Sequence, residues 1–587
     1  MTGRLLLGRP LTWWARLGVL VVTPVLLLVA LLSWALSSPV GASPDDDFHT
    51  VSIWCETERD NICEPSGEAD SRLVHPDFGA TSSCFAFRPD VSAACQAGAL
   101  DEFEPDAELV ETQRGNFERL YPPVFYWVMS RFAGSEMIPS VLIMRGLNAV
   151  IYLSFLSAVI AAVPRWLRPP TVLGAVATAV PLGMFLIPST NPSSWALLSA
   201  ATFWVSLLGV ASSRGRRRLV LVALTLLSAV IGAGARADSA YFMVLAVLAV
   251  VVLTIGRKGA RWLFYGTAAG ALVVAVGLFL TSSQGGQLAG GLPHAPDPAR
   301  TPEVLLTANF LNVPRLWAGM FGDMGGLGWL DTPMPAAVPV LGLAVFGGVV
   351  FWGLSRSSLA KGLVVVGAAA ALWLVPLVML LQSGAFVGEQ VQSRYILPMA
   401  VILAGVAALA TRGRAPRLSG LQAGAVVAAL TIANSAALHT NMRRYITGSD
   451  HQAWNLDFDA EWWWPALPGP NSTWLVGTVA FAAGLAGLAV LYLWRPAGWW
   501  DETPEVLDGD VTTTRVAPGL RRRDRRRGGD GAATAVAPAA GADAPATEAA
   551  ATEAPATEAP APRAPASQAP APQAPAARGA EQDDRVG

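Results

Sequence analysis

The sequence predicts an all-α polytopic membrane protein with about 12 transmembrane helices, and three observations support this fold class. Of the 587 residues, 53% are hydrophobic and 14% are charged, and the mean hydropathy is +0.43. A soluble protein of this size is considerably more polar. Apolar segments of roughly 20 residues, long enough to cross a bilayer, recur along the chain. Basic residues cluster in every second connection between these segments.

The apolar segments define the predicted helices. Their approximate positions are 14–38, 138–163, 170–188, 194–212, 218–235, 239–256, 262–282, 335–355, 360–381, 395–411, 418–438 and 473–494.

The net charge of −2 argues against a nucleic-acid partner, because that role requires a basic surface.

The positions of the basic residues predict the orientation in the membrane. They are Arg4, Arg9 and Arg16; Arg165 and Arg168; Arg214, Arg216, Arg217 and Arg218; Arg257, Lys258 and Arg261; Arg356 and Lys361; Arg412, Arg414 and Arg417; and Arg495. By the positive-inside rule these connections are cytoplasmic, so we expect both termini on the cytoplasmic side of the plasma membrane. Segment 14–38 could be a signal peptide, but the alternation requires it to be retained as a span.

This arrangement divides the chain into six parts. They are the cytoplasmic N-terminus and first helix (1–38), an external loop domain (39–137), helices 2–7 (138–282), a second external loop with an interfacial helix (283–334), helices 8–12 with an external loop at 439–471 (335–495), and a C-terminal tail (496–587). The tail contains an Arg cluster and Ala/Pro/Thr/Glu repeats. Such a composition cannot bury enough apolar surface to fold, so we expect a disordered cytoplasmic tail.

All four cysteines, Cys55, Cys63, Cys84 and Cys95, lie in the first external loop. An even number of cysteines outside the membrane predicts two disulfides. Four cysteines allow three connectivities, of which we favour the local one, Cys55 with Cys63 and Cys84 with Cys95. A zinc site is the alternative, but the CxxC spacing typical of structural zinc is missing.

Three carboxylates and a histidine follow the first apolar segment directly: Asp45, Asp46, Asp47 and His49. Ionisable groups are costly to desolvate at a bilayer boundary, so a dense cluster there indicates a functional site. The alternative is a solvated acidic flank that ends the helix.

Further polar and aromatic residues occur on the same predicted face. Tyr121 precedes a diproline, which predicts a short interfacial helix, although an ordinary aromatic belt is the alternative. Asn191 lies in a very short connection. Arg236 and Arg394 are cations placed against the charge bias, and for Arg236 the alternative is a local ion pair with Asp238.

Five motifs occur in order along the chain: Pro44-Asp45-Asp46-Asp47-Phe48-His49, Tyr121-Pro122-Pro123, Asn191-Pro192-Ser193-Ser194, Gly328-Trp329-Leu330-Asp331-Thr332-Pro333 and Gln392-Ser393-Arg394-Tyr395. Together they resemble the DUF2142 family of bacterial membrane proteins, whose architecture is similar to that of the GT-C glycosyltransferases. The resemblance covers roughly residues 12–495. In that family the first motif usually reads Pro-Asp-Glu-x-x-His, so Asp46 takes the Glu position, and a Gly is common where Ser393 stands.

The resemblance implies transfer of a sugar from a polyprenyl-phosphate carrier to a cell-envelope glycan or lipid acceptor on the external face. Asp45 or Asp46 then takes the proton of the acceptor hydroxyl, and His49 orients one of them or the acceptor. Arg236 and Arg394 suit the carrier phosphate, because guanidinium groups bind phosphate through charge-assisted hydrogen bonds. The expected substrate-binding residues also include Tyr121, Asn191, Trp329, Asp331 and Tyr395.

No cofactor is indicated. The chain has no phosphate-binding loop for a soluble nucleotide. A divalent cation could bind Asp45 and Asp46, but one loop offers fewer than the roughly six oxygens that hard cations require. We therefore expect no metal site.

Two other classes of function remain open at this point. A transporter or flippase for a lipid-linked or envelope precursor requires ionisable residues within its spans, and Arg145 is the best example here. A scaffold or receptor would account for the disulfide loop and the tail, but it would leave the polar motifs unused.

Overall fold

The computed structural model describes residues 13–97, 100, 102–255, 261–283, 299–410, 418–464 and 467–494. All of them belong to one unit of the chain, Met1–Thr513. Several sequence predictions lie outside the described residues. These are the C-terminal tail 496–587 with its Arg cluster, most of the Gly- and Pro-rich part of the second loop, and the topogenic cations Arg4, Arg9, Arg257, Lys258, Arg412, Arg414, Arg417 and Arg495.

Helices make up most of the described residues, and each predicted apolar segment coincides with one helix or with a bent pair. In chain order they are α1 (Trp13–Leu36), α2 (Asp46–Trp54), α3 (Asp77–Ala80), α4 (Pro123–Met129), α5 (Met137–Ala162), α6 (Arg168–Val176), α7 (Met184–Leu186), α8 (Ser193–Ser212), α9 (Gly215–Ala235), α10 (Asp238–Thr254), α11 (Arg261–Phe279), α12 (Pro302–Gly319), α13 (Ala337–Gly353), α14 (Leu359–Gln382), α15 (Ser393–Ala407), α16 (Gly420–Ile446) and α17 (Pro470–Leu488). Short 3₁₀ turns occur at Ala93–Gln96, Ser130–Phe132, Arg165–Leu167 and Leu354–Arg356, and π-helical turns at Ala179–Gly183 and Ala489–Leu493.

Within the described residues, 8 helices are long and apolar enough to cross a membrane, or up to 9 if the bent pair α6 and α7 forms one span. The remaining three apolar helices, α10, α13 and α15, have only 15 to 17 residues. At about 1.5 Å per residue they rise about 22–26 Å, less than the roughly 30 Å of a hydrocarbon core. The count of membrane-length helices is therefore smaller than the twelve expected from the apolar segments.

The centre of the bundle is α8, because 94% of its apolar window is buried by other parts of the chain. The outer helices bury much less, for example 33% in both α1 and α14, and their remaining apolar side chains face outwards. A helix that is buried on all sides occupies the middle of an assembly. The connection just before α8, which contains Asn191, therefore lies at the centre of one end of the bundle.

The predicted loop domain, residues 39–137, also contains a few short strands. It contains a small antiparallel sheet in the order β1-β2-β3, formed by Cys63–Pro65, Arg72–Val74 and Val110–Thr112. Strands of three residues are too short to show an alternating apolar pattern. The third strand also comes from a distant part of the loop, so the sequence alone gave no sign of the pairing.

Both predicted disulfides are confirmed. Cys55 bonds to Cys63 and Cys84 bonds to Cys95, with Cα atoms 5.4 Å and 6.0 Å apart. The first bond joins the end of α2 to β1. No cysteine of the chain remains free.

The loop closed by the second disulfide is held by Arg444 at the end of α16. The Arg444 guanidinium donates hydrogen bonds to the carbonyl oxygens of Phe85, Arg88 and Val91, at 2.9, 3.0 and 2.7 Å. Backbone carbonyls of a loop are satisfied here by a buried side chain. The loop is thereby fixed on the helical bundle.

The diproline starts a short helix, as the sequence predicts. Pro122 has an extended backbone and Pro123 is the first residue of α4. Phe125 and Tyr126 are fully buried, whereas Trp127 is exposed. The helix therefore packs its aromatic residues against the bundle on one side only.

The connections that carry the polar motifs meet at one end of the bundle. Gly41 accepts a hydrogen bond from Trp329, and Pro44 accepts one from Arg394.

Elsewhere, the ammonium group of Lys361 donates to the carbonyl oxygens of Gly353 and Leu409 at 2.6 and 2.7 Å, and so joins the C-terminal end of α13 to the segment after α15.

Candidate functional site

The acidic motif forms the start of α2. Asp45 is the residue before the first helical turn and has a left-handed backbone with φ 56° and ψ 25°. Aspartate is one of the few residues other than glycine that adopt this conformation readily. Asp46 then begins the helix, and the two neighbouring carboxylates contact different partners.

The carboxylate of Asp45 lies between two arginines. One of its oxygens, Oδ2, is 2.5 Å from Nη2 of Arg394, and the other, Oδ1, is 3.3 Å from Nη2 of Arg114. Burial alone would raise the pKa of Asp45, but the charge of Arg394 and its hydrogen bond prevail and hold that pKa well below its usual range. Asp45 is therefore ionised at neutral pH, and 31% of its side chain is exposed.

Asp46 is completely buried. It accepts hydrogen bonds from the hydroxyl of Thr190 and from the backbone N–H of Ser43, and Arg145 lies 3.9 Å away. Burial raises the pKa of Asp46, and the charge of Arg145 opposes this rise. Asp46 thus ties the motif to the bundle interior.

Arg114 was not singled out from the sequence. Its Nε atom is 2.7 Å from Oδ2 of Asp47, and its guanidinium lies 5.6 Å from the ring centre of Phe48. The residue is 67 positions away from Asp47 in the chain and lies in no recognisable motif. Only the folded loop domain brings it to the acidic motif.

His49 is fully buried, and its Nδ1 atom is 2.8 Å from the hydroxyl of Tyr126. The ring also packs edge-on against Tyr121, with centroids 5.3 Å apart. Burial lowers the pKa of His49 to about 3, although the charge of Asp45 opposes this effect. The imidazole is therefore neutral, and its Nδ1 atom shares a hydrogen bond with Tyr126. Its Nε2 atom is buried without a hydrogen-bond partner among the described residues.

Arg236 forms the local ion pair considered from the sequence. Its Nε and Nη2 atoms are 3.0 Å and 2.5 Å from oxygens of Asp238, and Nη1 is 3.3 Å from Oγ of Ser193. The same guanidinium also lies 5.7 Å from the ring centre of Tyr121 and 5.2 Å from that of Tyr395. The ion pair therefore coexists with a place in the cluster around the acidic motif.

Arg394 and Tyr395 begin α15 and complete this cluster. The Arg394 guanidinium donates to the Tyr395 hydroxyl at 3.3 Å and lies 5.2 Å from the centre of that ring. Its Nε atom is buried and has no hydrogen-bond partner within the described part of the chain. Tyr395 thus contacts both Arg394 and Arg236.

The structure gathers six of the predicted site residues into one cluster at one end of the bundle. Asp46 is not part of this cluster, because its carboxyl group contacts Thr190 and Arg145 instead. A buried polar nitrogen without a partner requires an explanation, and the cluster contains two of them. The six residues are Asp45, His49, Tyr121, Arg236, Arg394 and Tyr395.

Two of the other predicted binding residues contact the backbone that leads to the acidic motif. Asn191 donates to the carbonyl oxygen of Pro44 at 2.7 Å, and the indole N–H of Trp329 donates to that of Gly41 at 2.9 Å. Asp331 pairs with Arg444 at 2.8 Å, the arginine that holds the second disulfide loop. The hydrogen bonds from Asn191 and Trp329 fix the backbone before Asp45.

Arg145, the best candidate for an intramembrane transport residue, has a different role. Its guanidinium donates to the carbonyl oxygens of Ala35, Ser38 and Pro39 at 2.9, 2.6 and 2.6 Å. Carbonyl groups at a helix C-terminus lack partners within the helix. Arg145 therefore satisfies the end of α1 and the residues that lead to the motif.

An open cavity of about 620 Å³ lies at the end of β3. Glu111, Thr112, Gln113 and Arg114 line it, and the last of these is the arginine that contacts Asp45. Among the described residues, no three or more His, Cys, Asp and Glu side chains are grouped as metal ligands.

The chain was compared with protein-family models, curated proteins and solved structures. A family model described as "Predicted membrane protein (DUF2142)" matches residues 27–403, which is more than half of the chain. No curated protein and no solved structure matches the sequence.

Proposed function

We propose, from the premise that this chain belongs to the DUF2142 family of predicted membrane proteins, that it is a GT-C-type glycosyltransferase of the plasma membrane. It moves a sugar from a polyprenyl-phosphate carrier to a cell-envelope glycan or lipid acceptor on the external face. The observation that carries the proposal is the ion pair of Asp45 with Arg394. In the proposal Asp45 is the general base, and Arg394 binds the carrier phosphate.

Two arginines form the phosphate-binding side of the proposed site. Arg394 and Arg236 contact the same tyrosine ring and are both buried. The Nε atom of Arg394 lacks a partner among the described residues, so its N–H group is available to donate a hydrogen bond to a ligand. Guanidinium groups bind phosphate oxygens through charge-assisted hydrogen bonds, which suits the phosphate of a lipid carrier.

Binding of the carrier also prepares the base. In the free protein, Arg394 holds the pKa of Asp45 well below its usual range. A carrier phosphate competes with Asp45 for this guanidinium, so the pKa of Asp45 rises towards its ordinary value when the donor binds. A carboxylate with a higher pKa is a better proton acceptor.

The transfer step then involves one bond made and one broken. The acceptor hydroxyl oxygen attacks the anomeric carbon of the sugar, and the bond between that carbon and the phosphate oxygen breaks. The hydroxyl proton passes to the carboxylate of Asp45, and the bonding electrons leave with polyprenyl phosphate. Arg394 and Arg236 stabilise the charge on the departing phosphate.

In this proposal, the external location of the site is inferred from the distribution of basic residues. Arg165, Arg168 and the cluster Arg214–Arg218 lie at connections that alternate with those carrying the polar motifs. Under the positive-inside rule the basic connections are cytoplasmic. In the proposal, all twelve apolar segments cross the membrane and both termini lie in the cytoplasm.

The alternative function is a transporter or flippase for a lipid-linked or envelope precursor. Its best sequence support was Arg145. That guanidinium is engaged by three backbone carbonyls at the end of α1, a structural role. We therefore retain the glycosyltransferase as the single proposed function.

The test compares lipid-linked sugars and envelope glycans in a deletion strain that carries either the unchanged gene or a variant. Asp45→Asn removes the proton acceptor, and asparagine also tolerates the left-handed backbone of this position. Loss of a general base costs a factor of about 10²–10⁴ in rate, so we expect the donor to accumulate and the product glycan to be lost.

The matched control is Asp77→Asn, which changes a carboxylate of the same loop domain that pairs with His75. We expect this variant to restore the parental glycan profile. Equal restoration by Asp45→Asn, with normal amounts of protein in the membrane, would exclude Asp45 as the base.

A further inference from the structure

We propose that the cavity lined by Glu111, Thr112, Gln113 and Arg114 is the acceptor subsite, and that it takes a neutral, hydroxyl-rich sugar. This inference rests on the proposed function and deepens it, because it assigns one side of Asp45 to the acceptor and names its chemical class.

The two oxygens of the Asp45 carboxylate face different environments. Oδ2 contacts Arg394, whose side chain is only 2% exposed, and Oδ1 contacts Arg114, whose side chain is 50% exposed. A base that takes a proton during transfer must lie between the donor and the acceptor. If the carrier phosphate binds the buried Arg394, the acceptor binds on the opposite side of Asp45, next to the exposed Arg114.

The chemistry of the lining fits a sugar rather than a lipid chain. Among the described residues, the side chains that line the cavity are a carboxylate, a hydroxyl, an amide and a guanidinium, and each can form hydrogen bonds with hydroxyl groups. A polyprenyl chain requires apolar walls instead. The cavity has a volume of about 620 Å³ and is open to solvent.

The local charges favour a neutral ligand. Three carboxylates, those of Asp45, Asp47 and Glu111, meet two guanidinium groups here, those of Arg114 and Arg394. The carboxylates outnumber the cations, and Arg114 already contacts both Asp45 and Asp47. An anionic acceptor would meet a surplus of negative charge, which opposes its binding.

The lining segment is held firmly relative to the acidic motif. Glu111 accepts a hydrogen bond from the Ser71 hydroxyl at 2.6 Å, and Gln113 donates to Asp70 at 3.0 Å, so both are fixed to the neighbouring turn. The backbone N–H of Asn116 donates to the Ser52 hydroxyl of α2 at 2.8 Å. The subsite is therefore preorganised, which reduces the entropy lost when a ligand binds.

A single cysteine tests the assignment. All four native cysteines are in disulfides, so Gln113→Cys adds the only free thiol of the chain. Val110→Cys is the matched control, because Val110 lies on the same strand, is 46% exposed and does not line the cavity. Both variants are purified in detergent and labelled with a bulky, membrane-impermeant thiol reagent.

The first measurement is the labelling rate, which does not depend on activity. The probes are neutral and acidic oligosaccharide fragments released from the envelope of the parent strain. We expect the neutral fragments to slow the labelling of Gln113→Cys and to leave that of Val110→Cys unchanged. Protection by the acidic fragments alone would overturn the neutral class of ligand.

The second measurement is transfer to the neutral fragments by the fully labelled proteins. We expect the label on Gln113→Cys to raise the KM for the acceptor at least about tenfold with little change in the KM for the donor. An unchanged acceptor KM together with no protection would refute the subsite. Absence of transfer by the unchanged, unlabelled protein would instead refute the proposed function.

Discussion

At the residue scale, the main feature is the separation of two adjacent carboxylates. Asp45 has a left-handed backbone and contacts Arg394 and Arg114, whereas Asp46 is enclosed by Thr190 and Arg145. The sequence offered both as candidate bases, because it shows their number and charge but not their directions. Their surroundings favour Asp45 as the reactive group and give Asp46 a structural role.

The first prediction concerns Asp46. Asp46→Asn replaces a buried carboxyl group that accepts hydrogen bonds from Thr190 and Ser43. Leaving such buried hydrogen bonds unmade costs about 1–3 kcal/mol, so we expect a lower melting temperature of the purified protein. Asp77→Asn, a less buried carboxylate, serves as the control. Equal melting temperatures for the two variants would contradict the structural role of Asp46.

The second prediction concerns pH and His49. Burial lowers the pKa of His49 from 6.5 to about 3, so between these values the unfolded chain binds a proton that the folded protein does not. The stability is therefore complete above pH 6.5 and falls as the pH decreases towards 3, by up to about 1.4 kcal/mol per pH unit. The groups that act on this histidine are Asp45, Arg394, Arg236 and Arg114.

His49→Gln removes this titration and leaves the other groups in place. We expect the difference in melting temperature between the unchanged protein and the variant to shrink as the pH is lowered from 7 to 5. A difference that stays constant over this range would mean that His49 does not carry the effect.

At the element scale, the loop domain is stabilised by covalent bonds and by long-range contacts rather than by long strands. The three strands have three residues each. The disulfide between Cys84 and Cys95 closes a loop that is also docked by Arg444. Arg444 in turn pairs with Asp331 of the second predicted external loop. The two predicted external loops are thereby joined through one helix end.

The third prediction separates these contributions. Replacing both Cys84 and Cys95 by serine releases a loop with a sequence separation of 11. In the chain-entropy model this costs about 2–3 kcal/mol, so thermal unfolding should begin at a lower temperature. Ser83→Ala, an exposed neighbour, provides the control. An unchanged unfolding curve for the double variant would show that the docking by Arg444 alone holds the loop.

At the scale of the whole molecule, the polar motifs from connections far apart in sequence converge on one end of the bundle. The central helix α8, which is almost entirely buried, places Asn191 against the acidic motif. The bent pair α6 and α7, with an angle of 83°, leads into the same connection. The arrangement requires that all motif-bearing connections lie on one side of the membrane.

The fourth prediction tests that side. Glu68→Cys places a single free thiol in the loop domain, and Ser355→Cys places one in the connection between α13 and α14. An impermeant thiol reagent applied to intact cells should label the first and spare the second until the membrane is opened. The reverse pattern would invert the orientation and remove the external site from the proposal.

The sequence by itself determined the helical membrane character, the positions of the apolar segments and the family, and it favoured the disulfide pairs found among three possible connectivities. The apolar segments and the disulfides depend on residues that are close together in the chain, such as two cysteines 8 or 11 positions apart. Hydrophobicity and local spacing are sufficient to reveal them. The cluster of Asp45 with Arg394 was also within reach, because both belong to motifs of the family.

Only the tertiary structure decided which carboxylate faces the arginines, that Arg114 joins the site, and that Arg145 caps a helix. Arg394 and Asp45 are separated by 349 positions, and Arg114 and Asp45 by 69. Contacts over such distances arise from the packing of whole helices and loops, and one left-handed residue is enough to send neighbouring side chains in different directions. Composition and periodicity carry no information about either event, because both are properties of the folded backbone.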